Sequence, residues 1–256
     1  MEFSSFDSHC IEMLNALPNR HSRHCFRSAL NHLERAEKLF EVDSVMACFR
    51  CITAEEEAAA GLMHCLKEKD YDNAAGLKPR DHKHKSAVIV LFSVLGDFVG
   101  KDLVDSGIVV DLSVFEEGDG KKLKLSFEVP TDNKIVTFFS DPPLNVQLIA
   151  EGKKFSYRQQ IYTHLEKKGH SKMKDHLVDL ANFRNKLLYA GPAGFPSEVK
   201  VEEKFFGAYK SRVMAMLRAY LLVVPYNEKQ IFAQDSLDVF LSMVNGMDLD
   251  GLSLDF

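Results

Sequence analysis

DSVMACFRCITAEEEAAAGLMHCLK, from Asp43 to Lys67, decides the fold class. Val45, Phe49, Ile52, Glu56, Ala59, Met63 and Leu66 follow one another in steps of 4, 3, 4, 3, 4 and 3 residues. That spacing is one face of an α-helix, and Asp43 supplies an N-cap for it. Six of the seven seam positions are apolar, so the helix packs against others, and Glu56 stands where a core residue belongs.

The same period extends to both sides. Phe26, Ala29, Leu33, Ala36 and Phe40 trace a helix face between Arg23 and Phe40, and Pro18-Asn19 separates it from a shorter amphipathic stretch around Ile11, Leu14 and Leu17. After a polar loop with Gly76 and Pro79, Asp81 caps a helix that ends near Gly100, burying Val88, Leu91, Leu95 and Phe98. Past Asp105 the period changes to two. Val110, Leu112 and Val114 alternate with polar residues, as do Leu123, Leu125, Phe127 and Val129, and the intervening EEGDG predicts a hairpin. Ile135–Phe139 and Val146–Ile149 are expected to add two strands around Asp141-Pro142-Pro143. Helices resume at Ser156, the clearest being Ser171–Ala190, Val199–Val224 and Asn227–Met243. The expected architecture is mainly α: a helical bundle built from 1–103 and 156–245, a small antiparallel β-rich insertion at 104–155, and an acidic tail at 246–256.

Composition bounds the function classes. The 256 residues are 46% hydrophobic and 27% charged, which excludes a disordered or collagenous chain. A net charge of −5 excludes a generally basic nucleic-acid coat while leaving room for local basic patches. The longest apolar run, Ala87–Leu95, is broken by Ser93 and falls short of the roughly 18 residues of a membrane span. MEFSSFDSHC has neither the basic start nor the apolar core of a signal peptide. Five cysteines without framework spacing point to reduced thiols. A cytoplasmic protein with no membrane association is expected.

A second charge breaks a second seam. Met173, Leu177, Leu180, Arg184 and Leu187 share a face, and Arg184 interrupts it as Glu56 interrupts the first. Removing one partner of a buried ion pair costs roughly 3–5 kcal/mol. The economical expectation is therefore that Arg184 meets Glu56, or its neighbour Glu55 or Glu57, across the bundle. The alternative is that both charges sit at the bundle's edge and bury only their stems.

Ala54-Glu55-Glu56-Glu57-Ala58, then DHKHK at Asp81–Lys85, then FRNKLLYAG at Phe183–Gly191 resemble, in this order, the HEPN superfamily, and within it most closely the AbiV-type abortive-infection proteins. The resemblance covers roughly 20–100 and 170–220 and skips the β segment. It implies a helical bundle, a homodimer, and a role in anti-phage or toxin-type defence, acting on RNA or the translation machinery by binding or as a metal-independent ribonuclease. It implies no cofactor and no metal. The HEPN signature runs from Arg and a polar residue to a later His; Arg184 and Asn185 match its first half, and Tyr189 stands at the His position.

Metal-free RNA cleavage needs a group to manage the 2′-hydroxyl proton and a cation to stabilise charge on phosphorus. Arg184 suits the second task and Asn185 could orient the phosphate. Tyrosine, with an ordinary pKa near 10, is a poor base at pH 7, so Tyr189 weighs towards binding rather than cleavage. Glu56 and His84 are the candidates to position the site, His84 because it lies one turn before Val88 on the buried face. His82, Lys83, Lys85 and Lys172 are candidate RNA or phosphate contacts, the first three at a helix start where anions are favoured. A binding protein with a protein partner is the rival class. Arg27…His32 repeats the Arg-x4-His spacing on an early helix, and Cys48-x-x-Cys51 has zinc-like spacing, yet both pairs fit ordinary amphipathic packing better.

Overall fold

The computed structural model describes residues 2–105, 107–117, 120–131, 134–147, 149–150, 153–154, 156–168, 184, 187–189 and 203–245. Its first half is a run of helices: α1 (Ser5–Ala16), α2 (His21–Leu39), α3 (Ser44–Glu68) and α4 (His82–Asp97). Side chains set the starts. Ser4 accepts from the Asp7 amide at 3.0 Å, Asp43 from Met46 at 2.9 Å, and Asp81 from Lys83 at 2.7 Å. Each satisfies a backbone donor that the first helical turn leaves open.

α2 and α3 form an antiparallel pair that is unusually close at Gly61. A β-carbon there would stand 2.8 Å from the Phe26 ring and 3.1 Å from the Ser22 carbonyl. Phe26 fills that space, is wholly buried, and stacks obliquely on Tyr220, with centroids 4.6 Å apart. Tyr220 belongs to α6 (Glu203–Val223), which packs against α1, α2 and α3. α5 (Tyr157–Lys168) and α7 (Ile231–Asn245) close the bundle around α4. Arg158 of α5 ties them together through Asp235 and Asp238. All five cysteines are buried free thiols in this assembly.

The β segment packs on the bundle. β1 (Val109–Glu117), β2 (Gly120–Thr131) and β3 (Lys134–Phe139) form an antiparallel meander, with Val110 opposite Phe127, Leu112 opposite Leu125 and Val114 opposite Leu123. Leu123 is buried in the common core. Around Phe127, Leu125 and Val110, the sheet encloses an apolar cavity of about 180 Å³ against Phe98, Tyr157 and Phe232.

The mainly helical class and the hairpin are as the periodicities predict. The fourth expected strand differs. Leu144–Val146 is loop, its backbone held by side chains: the Leu144 amide donates to Gln230 at 2.7 Å, and the Tyr157 hydroxyl to the Val146 carbonyl at 2.9 Å. Pairing begins only at β4 (Ile149–Ala150) with β5 (Lys153–Lys154). β3 is present, but every one of its residues is exposed. Most of the expected helix Ser171–Ala190 and the whole acidic tail lie outside the described residues.

Candidate functional site

The three successive glutamates of α3 diverge because each residue turns about 100° around a helix. Glu55 faces α6, where Arg212 Nε donates to its carboxylate while the guanidinium lies 4.4 Å from the Tyr209 ring centroid. Glu56 faces the start of α4. Burial pushes the Glu55 carboxyl up to about 7, with Arg212 opposing the shift and Glu56 adding to it. Glu57 is half-buried.

Glu56, with its side chain 10% exposed, receives two groups from α4. His82 Nδ1 lies 2.8 Å from Oε1, and Lys85 Nζ lies 3.6 Å from Oε2. Residues 82 and 85 are three apart on one helix face, which is why both reach the same carboxylate. Arg184 approaches from the far side, its Nη1 3.0 Å from His82 Nε2 and its guanidinium 5.1 Å from the Phe49 ring. Phe49 lies on the same α3 seam as Glu56, two helical turns earlier.

The partners fix the state of the imidazole. A guanidinium is donor-only, so His82 Nε2 accepts from Arg184 and carries a lone pair. The proton is then on Nδ1 and is donated to Glu56. The result is a relay, carboxylate to neutral imidazole to guanidinium. His82 remains 42% exposed at its centre, and Arg184 Nε is buried without a hydrogen-bond partner among the described residues. Chemically the cluster has the parts that general-base catalysis uses: an imidazole nitrogen with a lone pair, a carboxylate that orients the ring, and a cation suited to phosphate.

Arg184 and Glu56 thus belong to one cluster, as their seams predict, but His82 stands between them. The sequence places His82 among the phosphate contacts of a helix start rather than between the two charges; its position one residue after Asp81 is the available signal. His84 is elsewhere. It is buried, accepts from the Lys78 amide at 3.4 Å, and meets the Phe240 ring edge-on at 5.8 Å. Burial holds its pKa below the usual histidine value. Lys83 is exposed beside the site, and Tyr189 is 67% exposed. Asn185 and Lys172 lie outside the described residues. The Asp81 carboxylate already occupies the Lys83 and His84 amides, so the start of α4 is capped by its own side chain.

Two other readings resolve into packing. His32 lies 3.1 Å from Arg50 of α3, with Arg27 exposed, and neither is placed with Arg184. Cys48 and Cys51 are fully buried, and desolvation raises their thiols to about 11 and about 12. Compared with protein-family models, curated proteins and solved structures, the chain matches none.

Proposed function

We propose that this chain is a HEPN-like, AbiV-type defence protein that acts on RNA, and that Glu56, His82 and Arg184 form a metal-independent phosphodiester-cleaving site. The observation that carries the reading is His82 held between a buried carboxylate and an arginine, with its Nε2 lone pair facing the guanidinium. It supplies the base for which Tyr189 is poorly suited.

A backbone phosphate arriving at the site competes for the Arg184 guanidinium, which binds phosphate bidentately. Nε2 of His82 is then free to take the proton of the neighbouring 2′-hydroxyl. The 2′-oxygen bonds to phosphorus, the bond to the 5′-oxygen breaks, the leaving oxygen takes a proton from water, and the hydroxide so formed takes the proton from the His82 imidazolium. Products are a 2′,3′-cyclic phosphate and a 5′-hydroxyl. Arg184 stabilises the charge that develops on the phosphoryl oxygens. Glu56 keeps the proton on Nδ1 and stabilises the imidazolium, as the carboxylate does in a catalytic triad. Lys83 and the exposed Lys78 and Arg80 provide local positive charge for the strand. A second copy, as the resemblance implies, would present two such sites.

Incubation with total RNA and tRNA in chelator tests this. Wild type is expected to cleave, leaving cyclic-phosphate ends. His82→Gln is expected to lose about 10²–10⁴-fold, and Arg184→Ala to be inactive, both with the fold preserved. A binding role without cleavage is the second reading, favoured by the way Lys85 and His82 satisfy Glu56 while His82 and Phe49 hold Arg184 in place, as an internal clamp. It predicts intact RNA with wild type and with both variants.

A further inference from the structure

At the opposite end of α3 from Phe49, three side chains from two helices converge. His21 and Cys25 are one turn apart on α2, on the same face. His64 of α3 lies against them, its ring stacked on His21 with centroids 3.8 Å apart and planes at 29°. One ligand atom from each of the three lies within 4.8 Å of the other two. The convergence follows from the helix contact described above. Gly61 brings α3 onto the α2 backbone at Ser22, and His64, one turn later, is thereby set beside the first turn of α2.

We propose that His21, Cys25 and His64 form a zinc site independent of the RNA reading. Two imidazoles and a thiolate are the donors borderline-soft ions select, whereas calcium and magnesium want oxygen. Zinc–nitrogen and zinc–sulfur bonds of about 2.0–2.3 Å require ligand-atom separations of about 3.3–3.7 Å in a tetrahedron. The ligand atoms stand within 4.8 Å of one another, at most about 1.5 Å beyond that spacing. The graded exposure of the cluster gives an entry path: Cys25 is buried, His64 half-buried and His21 exposed. Three protein ligands leave the fourth position to water on the His21 side.

Charges of both signs act on the site: Lys85 on Cys25, and Lys67 and Arg80 on His64, stand against two glutamates. Glu57 and Glu68 both act electrostatically on Cys25, and Glu68 is held in place by the Ser22 amide at 3.1 Å and hydroxyl at 2.6 Å. Burial pushes the free Cys25 thiol up to about 11. Coordination therefore replaces the thiol proton with the metal, and one proton leaves to solvent for each ion bound. Cys48 and Cys51, in the interior of the bundle, have no comparable histidines among the described residues.

The test is a titration of chelator-stripped, full-length protein with Co²⁺, followed by Zn²⁺. One equivalent of Co²⁺ is expected to give sulfur-to-metal charge transfer with tetrahedral visible bands, and one equivalent of Zn²⁺ to abolish both. Cys25→Ala is expected to lose the charge-transfer band, while Cys51→Ala, with the same number of thiols, keeps it. His64→Gln and the exposed His21→Gln are each expected to weaken Zn²⁺ binding by at least about 100-fold. Absence of the thiolate band in wild type, or its persistence in Cys25→Ala, overturns the site.

Discussion

At the residue scale, the central fact is that Glu56 serves two groups at once, a neutral imidazole and an ammonium, through different oxygens. Oε1 orients His82 and Oε2 neutralises Lys85, whose own side chain is 12% exposed. Glu56→Gln keeps an acceptor for His82 Nδ1 but leaves Lys85 as an uncompensated, largely buried charge. The expected loss is about 1–3 kcal/mol in denaturant unfolding. Lys85→Met in the same chain is expected to return part of it, which a double-mutant cycle measures directly. If His82 is the base, Glu56→Gln also lowers cleavage while leaving RNA binding intact, because a neutral amide cannot stabilise the imidazolium.

At the scale of elements, the α2–α3 contact rests on the missing side chain of Gly61. Gly61→Ala would drive a methyl into Phe26 and the Ser22 carbonyl. Overpacking of this kind costs about 1–3 kcal/mol, and here the obstacle on one side is backbone, which yields less than a side chain. A lower melting temperature, with weakened Co²⁺ binding at His21, Cys25 and His64, is the expected pair of readouts. The elements also show what was legible in the sequence. α3 follows its seam closely because the step pattern, the Asp43 cap and the apolar content agree, and the β1–β2 hairpin follows from clean alternation around a turn. The segment after Pro143 misleads because its apolar residues are buried by loop contacts through Gln230 and Tyr157, which involve partners 86 and 11 residues away. Periodicity carries no information about such contacts. The candidate site was half legible. A charge on an apolar seam marks Glu56 and Arg184, but which histidine stands between them depends on the rotation of α4 against α3, and only two residues separate His82 from His84.

At the scale of the whole molecule, two buried titrating groups pull stability in opposite directions with pH. The folded Glu55 carboxyl titrates at about 7, above its usual value near 4.3. Its contribution is thus fully present below about pH 4.3 and is lost as pH rises through 7. His84 is shifted down, so its contribution is present above about pH 6.5 and is lost as pH falls through its lower folded value. Glu55→Gln is expected to gain on wild type by about 1–3 kcal/mol between pH 5 and pH 8, as read from urea midpoints across that range. An unchanged difference would mean that Arg212 fully offsets the burial of Glu55.

The five buried thiols have a practical corollary. Alkylating reagents attack only thiolate, and sulfur atoms shielded by packing and held at about 11 or 12, as in Cys48 and Cys51, offer almost none while the bundle is closed. Iodoacetamide uptake thus becomes a clock for opening. Cys10 reports on α1, Cys25 on α2, Cys48 and Cys51 on the first half of α3 and Cys65 on its last turn. Mass spectrometry of a time course would map which helix leaves first, with no engineered residue or fusion tag introduced.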